Sequence, residues 1–164
     1  MTVTDELIAA NAEYAKTFDG PLPLPLPPAR HVAVLACMDA RLDVYRALGL
    51  AEGEAHVIRN AGGVVTADAI RSLAISQRLL GTTEIVLVHH TDCGMLTFAD
   101  EEFRSSIEQE VGQRPEWHSE AFTDLTDDVR ASRARILDSP YIPHKDSVRG
   151  FVFDVATGRL TEVA

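Results

Sequence analysis

Three short apolar runs separated by helical segments constrain the fold of this 164-residue chain more than any other feature. The first, HVAVLAC at 31–37, is a continuous apolar and β-branched run, which is typical of a strand covered on both faces. HVIRN at 56–60 and EIVLVHH at 84–90 follow it. Because helical segments lie between these runs, the strands are predicted to pair in parallel through right-handed crossovers. The sequence thus predicts an α/β fold: a single domain over 1–164 with a mostly parallel central sheet flanked by helices.

Helix boundaries and a terminal hairpin complete this prediction. Thr66 can cap a helix that runs through Leu80, and Gly49 and Gly81 are suited to the left-handed position that ends a helix. The predicted helices are 3–17, 42–48, the one capped by Thr66, about 97–111 and 124–138. A strand at 150–155, a Thr157-Gly158 turn and a strand at 160–163 form the predicted C-terminal hairpin.

The N-terminal segment 1–28 combines an amphipathic helix with a proline-rich strap. The strap at 21–28 reads PLPLPLPP, and proline favours an extended path without backbone donation. We interpret it as a connector packed on the domain or on a partner chain; a ligand for an SH3-type domain is the alternative. The strap separates helix 3–17 from the core, so the apolar face of that helix needs another surface, for which a second subunit is one candidate.

Charge and cysteine content exclude several function classes. Acidic residues outnumber basic ones by 25 to 15, and Lys16 and Lys145 are the two lysines, so neither nucleic acid nor an anionic membrane is an expected partner. No apolar run approaches the roughly 20 residues of a membrane span, and the N-terminus lacks the pattern of a secretory signal. Two cysteines are too few for a disulfide scaffold. A cytoplasmic location is therefore expected.

Five residues have side chains suited to metal chemistry: Cys37, Asp39, Arg41, His90 and Cys93. Cys37 ends the first strand and His90 the third, and the carboxyl ends of parallel strands open on one side of a sheet. Two thiolates and an imidazole suit zinc, while Asp39 adds a carboxylate that Arg41 can hold. Three alternatives stay open at this point: buried cysteines without chemistry, a disulfide, and a structural zinc site closed by Asp39.

The spacing of these residues resembles that of the β-class carbonic anhydrases, in particular a small-chain bacterial branch. The resemblance runs from about 31 to 94 and rests on three motifs, Cys37-Met38-Asp39-Ala40-Arg41, Val57-Ile58-Arg59-Asn60-Ala61-Gly62-Gly63 and His90-Thr91-Asp92-Cys93-Gly94. It implies one zinc per chain on Cys37, His90 and Cys93, and reversible hydration of carbon dioxide by a zinc-bound hydroxide.

The resemblance also implies roles for the neighbouring residues. Asp39 would bind the metal in a closed form, and otherwise Arg41 would hold it off the metal so that it orients the hydroxide. The backbone amide of Gly94 would sit beside the substrate. The family fold further implies a homodimer in which the N-terminal helix wraps over its partner.

Departures from the family pattern leave the substrate open. Many family members carry a glutamine shortly before the first cysteine, which donates a hydrogen bond to the substrate, but in this chain no glutamine precedes Gln77. Met38 and Ala40 stand where serines are often found in the family. Hydrolysis of carbonyl sulfide or a related small heterocumulene on the same site is the alternative activity. A non-enzymatic zinc-stabilised dimer is a further alternative, against which Arg41 argues, because a permanently ligated Asp39 would not require that partner. His89 is expected to be packed and hydrogen-bonded, and the remaining histidines are interpreted as ordinary: His31, His56, His118 and His144.

Overall fold

The computed structural model describes residues 2–18 and 24–164 and contains one five-stranded sheet of order β2-β1-β3-β4-β5. The first four strands pair in parallel and β5 is antiparallel to β4. The strands are β1 Val32–Cys37, β2 Ala55–Asn60, β3 Glu84–His90, β4 Ser147–Phe153 and β5 Leu160–Val163. The helices are α1 Val3–Thr17, α2 Val44–Leu48, α3 Ala67–Leu80, α4 Asp100–Val111 and α5 Leu125–Asp138. The predicted α/β class is confirmed.

Side-chain and glycine caps fix α3 where the sequence predicted it. The Thr66 hydroxyl accepts a hydrogen bond from the Ala69 N–H at 3.1 Å, and Gly81 ends the helix with φ +73°. Gly49 ends α2 in the same left-handed conformation.

Three elements differ from their predicted bounds for local reasons. Helix α2 begins two residues late because the Asp43 side chain caps it, accepting from the Arg46 N–H. A 3₁₀ turn at Gly94–Leu96 occupies the chain before α4, which therefore begins at Asp100 rather than about 97. Strand β4 runs over 147–153 rather than 150–155, because the Asp154 carboxylate accepts from the Ala156 N–H in the turn that follows.

Both faces of the sheet are covered, which explains the continuous apolar runs. Leu35 and Leu87 point to the face packed by Leu73 of α3 and Ile136 of α5. Alternate residues of the same strands lie in a second cluster on the other face, among them Val34, Ala36 and Val88, together with Met95 and Phe122 from the chain beyond β3. The carboxyl edge of this doubly covered sheet carries the side chains described below.

The N-terminal helix lies apart from this core. None of the residues of α1 is buried, and Leu7 and Ile8 are 65% and 64% exposed. Of the predicted strap, 24–28 is described and 21–23 falls outside the described residues; Leu24 lies against Gly53. No helix within the described ranges is long and apolar enough to cross a membrane.

Candidate metal centre

Three ligand-type side chains meet at the carboxyl edge of the two neighbouring strands β1 and β3. Cys37 is the last residue of β1, His90 is the last residue of β3, and Cys93 follows in the next turn. The two sulfur atoms and an imidazole nitrogen lie within 4.8 Å of one another, and all three residues are buried. The strand topology alone predicted this meeting, because adjacent parallel strands end at the same edge.

Two unusual backbone positions allow this approach. Gly63, with φ +70°, lies so close to the end of β1 that a Cβ there would come within 2.8 Å of the Cys37 nitrogen. Asp92 adopts φ +56°, a left-handed conformation that aspartate tolerates better than most residues. This bend lies between His90, which ends β3, and Cys93, so it falls where the chain turns back toward Cys37.

The hydrogen bonds of His90 fix which ring nitrogen faces the cluster. Its Nδ1 lies 2.8 Å from the Thr91 carbonyl oxygen, which can only accept, so Nδ1 carries the proton. Its Nε2 lies 3.2 Å from the Cys37 sulfur. A backbone acceptor behind an imidazole is the usual arrangement for a metal-binding histidine.

The two thiols differ in acidity. Burial opposes ionisation of Cys37, yet the hydrogen-bonding contact with His90 and the hydrogen bonds from backbone N–H groups outweigh it and lower the pKa of this thiol. The same contact with Cys37 raises the pKa of His90. Burial raises the pKa of the Cys93 thiol to about 11. Burial thus disfavours the thiolate of Cys93. A bound cation would favour it instead, because a coordinating thiol is deprotonated.

Asp39 is held beside the cluster by Arg41. The guanidinium donates Nε–H to Asp39 Oδ1 at 3.0 Å and Nη2–H to Oδ2 at 2.8 Å, and the Arg41 backbone N–H adds a third bond at 2.8 Å. These bonds hold the pKa of Asp39 well below its usual range. The Oδ2 atom of Asp39 lies 3.6 Å from Nε2 of His90. The carboxylate is therefore ionised, oriented by Arg41 and adjacent to the imidazole of His90.

Two residues to which the sequence gave no role complete this arrangement. Arg41 Nη1 donates to Asp92 Oδ2 at 2.7 Å and Nη2 to the Asp92 carbonyl at 2.9 Å, so Arg41 is held on both sides. Arg59 donates Nε–H to the Cys37 carbonyl at 3.0 Å and Nη2–H to the Asp39 carbonyl at 2.7 Å. Arg59 and Asp92 each lie inside one of the motifs that carry the family resemblance, which marked them as part of the site. Nothing in the sequence, however, indicated which atoms they contact.

An apolar cavity of about 350 Å³ opens over the cluster. Met38, Met95 and Phe98 line it together with the ligand-type residues, and Gly94 lies on its wall, with open space where a Cβ would be. A second cavity of about 570 Å³ adjoins it. Four residues line both cavities, namely Met38, Ala61, Met95 and Phe98.

The other histidines lie outside the cluster. His89 is fully buried on the opposite side of β3, and its Nε2 lies 2.7 Å from Asp128 Oδ2, which agrees with its interpretation as a packed, hydrogen-bonded residue. His31 and His56 are hydrogen-bonded to the Gly81 carbonyl and the Ser76 hydroxyl.

The donor set fits zinc. Two buried sulfurs and one imidazole nitrogen are the soft and borderline ligands that this metal prefers, and three protein ligands are the number that catalytic zinc sites use. Ionised thiolates would also offset the charge of the cation and so lower the cost of burying it. The fold and the donor set together define a class: α/β proteins with a Cys–His–Cys cluster that could bind a metal at the carboxyl edge of a parallel sheet.

Comparison with known proteins identifies the family. The family model described as carbonic anhydrase matches residues 32–160. The chain is 63% identical over 163 residues to the β-carbonic anhydrase 1 of Mycobacterium tuberculosis, with 99% of each chain covered. A solved carbonic anhydrase of Streptococcus mutans superposes with a TM-score of 0.92 at 45% identity, covering 100% of this chain and 99% of that one. The chain belongs to the β-carbonic anhydrase family of enzymes, which confirms the resemblance.

One further relative has a different activity in its name. A carbon disulfide hydrolase from an Acidianus species is 35% identical over 159 residues, with 82% of this chain and 78% of the relative covered.

Proposed function

We propose that this chain catalyses the zinc-dependent, reversible hydration of carbon dioxide to bicarbonate and a proton. The observation that supports it most directly is the position of the Asp39–Arg41 pair beside three ligand atoms that lie within 4.8 Å of one another. Cys37, His90 and Cys93 would hold one zinc ion per chain. Zinc, when bound, lowers the pKa of a coordinated water from about 15.7 toward about 7 and so would supply hydroxide at neutral pH; this magnitude is that of a carbonic anhydrase with a different ligand set.

Asp39 and Arg41 orient the reaction in this proposal. An ionised Asp39 can only accept hydrogen bonds, so it fixes the direction of the O–H bond of the nucleophile and leaves a lone pair for the substrate carbon. Arg41 keeps Asp39 ionised and prevents it from turning toward the metal. Gly94 lines the cavity, and in this proposal its backbone N–H would donate to a substrate oxygen.

Stopped-flow assay of the zinc-loaded protein on carbon dioxide tests the proposal. We expect turnover with a kcat well above about 10 s⁻¹, which is the median for enzymes in general. Protein stripped of zinc and protein reloaded with zinc are the matched pair. Absence of hydration by fully loaded protein would remove carbon dioxide as the substrate.

Carbonyl sulfide or carbon disulfide is the second candidate substrate. Met38, Met95 and Phe98 give the cavity apolar walls, and polarisable sulfur-containing molecules suit such walls. The carbon disulfide hydrolase relative supports this candidate. The same assay run on carbon dioxide, carbonyl sulfide and carbon disulfide side by side separates the activities through their kcat/KM ratios.

We also propose that the chain forms a homodimer through segment 1–28. The exposed Leu7 and Ile8 of α1 need an apolar surface, and a helix of 15 residues alone is only marginally stable in water. A second copy of the chain is the surface that the family resemblance implies.

Charge placed on α1 tests this interface. Leu7→Glu should shift the mass measured by light scattering toward the 17.9 kDa of one chain, because it buries a carboxylate at the proposed contact. Ala9→Glu adds the same charge on the opposite, polar side of the helix and should leave the dimer intact. An unchanged oligomer in both variants would count against the interface.

A further inference from the structure

The guanidinium of Arg41 is the group that controls where the Asp39 carboxylate points. Among the described residues, all three hydrogen bonds to this carboxylate come from Arg41, two of them from its side chain. That side chain is 48% exposed, however. An exposed ion pair made by a long side chain is weak, because water competes for it and holding the side chain in one geometry costs entropy. Arg41 can restrain Asp39 only if it is itself fixed.

Asp92 holds the other end of this guanidinium. Arg41 Nη1 donates to Asp92 Oδ2 at 2.7 Å, and Nη2 donates to the Asp92 carbonyl oxygen at 2.9 Å. Nε and Nη2 meanwhile donate to the two carboxylate oxygens of Asp39. A guanidinium is a rigid planar fork, so it cannot rotate to follow one partner without losing hydrogen bonds to the other.

The two partners of Arg41 belong to different segments of the chain. Asp92 lies in the turn between His90 and Cys93, whereas Asp39 belongs to the loop after β1. Arg41 therefore bridges the two segments that carry the ligand-type residues. This bridge sets the position of the Asp39 carboxylate relative to His90, whose Nε2 lies 3.6 Å from Asp39 Oδ2.

Asp92 itself is remote from the space that a substrate would occupy. Its side chain is 80% exposed, and it is not among the residues that line the metal cavity or the adjoining one. An effect of Asp92 on the reaction must therefore pass through Arg41 or through the turn that contains it.

We propose that Asp92 is a positioning residue for the reaction: by anchoring Arg41, it keeps the Asp39 carboxylate in the orientation in which it accepts a hydrogen bond from the nucleophile. Without this anchor Arg41 could move together with Asp39. The carboxylate could then turn toward the proposed ligands without breaking its bonds to Arg41. This inference rests on the roles of Asp39 and Arg41 in the proposed hydration.

Two substitutions of Asp92 separate its carboxylate from its backbone conformation. Asp92→Gly removes the carboxylate, and glycine adopts φ +56° without strain. It should lower kcat about tenfold, the lower end of what losing an outer partner of a metal site costs, with KM unchanged and zinc near one per chain. Asp92→Asn keeps a neutral acceptor and tolerates the same φ, so its kcat should lie between those of Asp92→Gly and the parent.

Asp127→Asn is the matched control. It replaces another exposed aspartate that is paired with an arginine, Arg130 at 3.0 Å, and neither residue of this pair lines the two cavities. Its kcat should equal that of the parent. A parent kcat in Asp92→Gly, by contrast, would overturn the proposal.

A double variant distinguishes anchoring from a merely structural role of the turn. When Arg41 is already alanine, Asp92→Gly should change kcat less than about twofold, because no guanidinium is left to anchor. A further tenfold loss in that background would overturn the proposal, and so would loss of zinc from Asp92→Gly. Either result would mean that Asp92 acts by shaping the turn that carries His90 and Cys93.

Hydrogen exchange of the Arg41 Nε–H, followed by ¹⁵N NMR of the zinc-loaded protein, tests the anchor without turnover. The signal is assigned by its loss in Arg41→Ala. This N–H donates to Asp39 and not to Asp92, so it reports the contact that Asp92 is proposed to secure. Its exchange should be about fivefold faster in Asp92→Gly, the scale of an exposed ion pair, and unchanged in Asp127→Asn.

An unchanged exchange rate in Asp92→Gly would overturn the anchoring of Arg41. Inactivity of the zinc-loaded parent toward carbon dioxide would instead contradict the proposed function, and the exchange measurement would still decide whether Asp92 anchors Arg41.

Discussion

Cys93→Ala is expected to leave the chain without bound zinc after dialysis, whereas the parent protein retains about one ion per chain. Cys37→Ala and His90→Ala should do the same, because the three ligand atoms act together on one ion and removal of one loses most of the chelate. Carbon dioxide hydration should disappear with the metal. Metal analysis of dialysed protein is the measurement.

Met38→Leu is the matched control for these variants. It changes a side chain on the wall of the metal cavity at nearly constant volume, without touching a proposed ligand. It should retain zinc. One zinc per chain in dialysed Cys93→Ala protein would remove Cys93 from the proposed ligand set.

Arg41→Ala and Asp39→Ala should each lower kcat by about 10²-fold or more, the usual scale for a preorganised electrostatic group, while zinc content stays near one per chain. Without Arg41, Asp39 is free to bind the metal and displace the nucleophile. Without Asp39, the nucleophile is present but poorly oriented. The double variant should resemble Asp39→Ala alone, because Arg41 then has nothing to hold.

Stopped-flow kinetics of the three variants decides this coupling. Arg46→Ala, on the exposed side of α2, removes a guanidinium elsewhere and should leave kcat unchanged. Losses that simply multiply in the double variant would contradict the coupling.

The pH dependence gives an independent readout of the same pair. The Arg41 contacts hold the pKa of Asp39 well below its usual range, so Asp39 stays ionised in the parent until strongly acidic pH. In Arg41→Ala its pKa should rise toward the ordinary value near 4, and protonation should begin at higher pH. Cobalt-substituted Arg41→Ala should also show a carboxylate-ligated spectrum that fades as pH rises from about 6 to about 9, since hydroxide competes for the same position.

The elements and the ligand-type residues were predictable because both depend on local pattern. Apolar runs, a capping threonine and the left-handed glycines specify strands and helix ends within a few residues of chain. The Asp39–Arg41 contact spans two residues and follows from their spacing. Parallel pairing then brings Cys37 and His90 to one edge, so the sequence and a topological rule together predicted the cluster.

Contacts between distant segments were decided by the tertiary structure. Arg41 and Asp92 are 51 residues apart, Arg59 reaches Cys37 over 22, and His118 meets Asp100 over 18. None of these pairs has a periodicity or spacing that marks it, since each depends on how the crossovers and loops pack. The left-handed bend at Asp92 and the cavity shared by Met38 and Phe98 depend on the same packing. The sequence alone determined which side chains could bind a metal; only the folded chain decided which charged groups hold them in place and which side chains line the cavity over them.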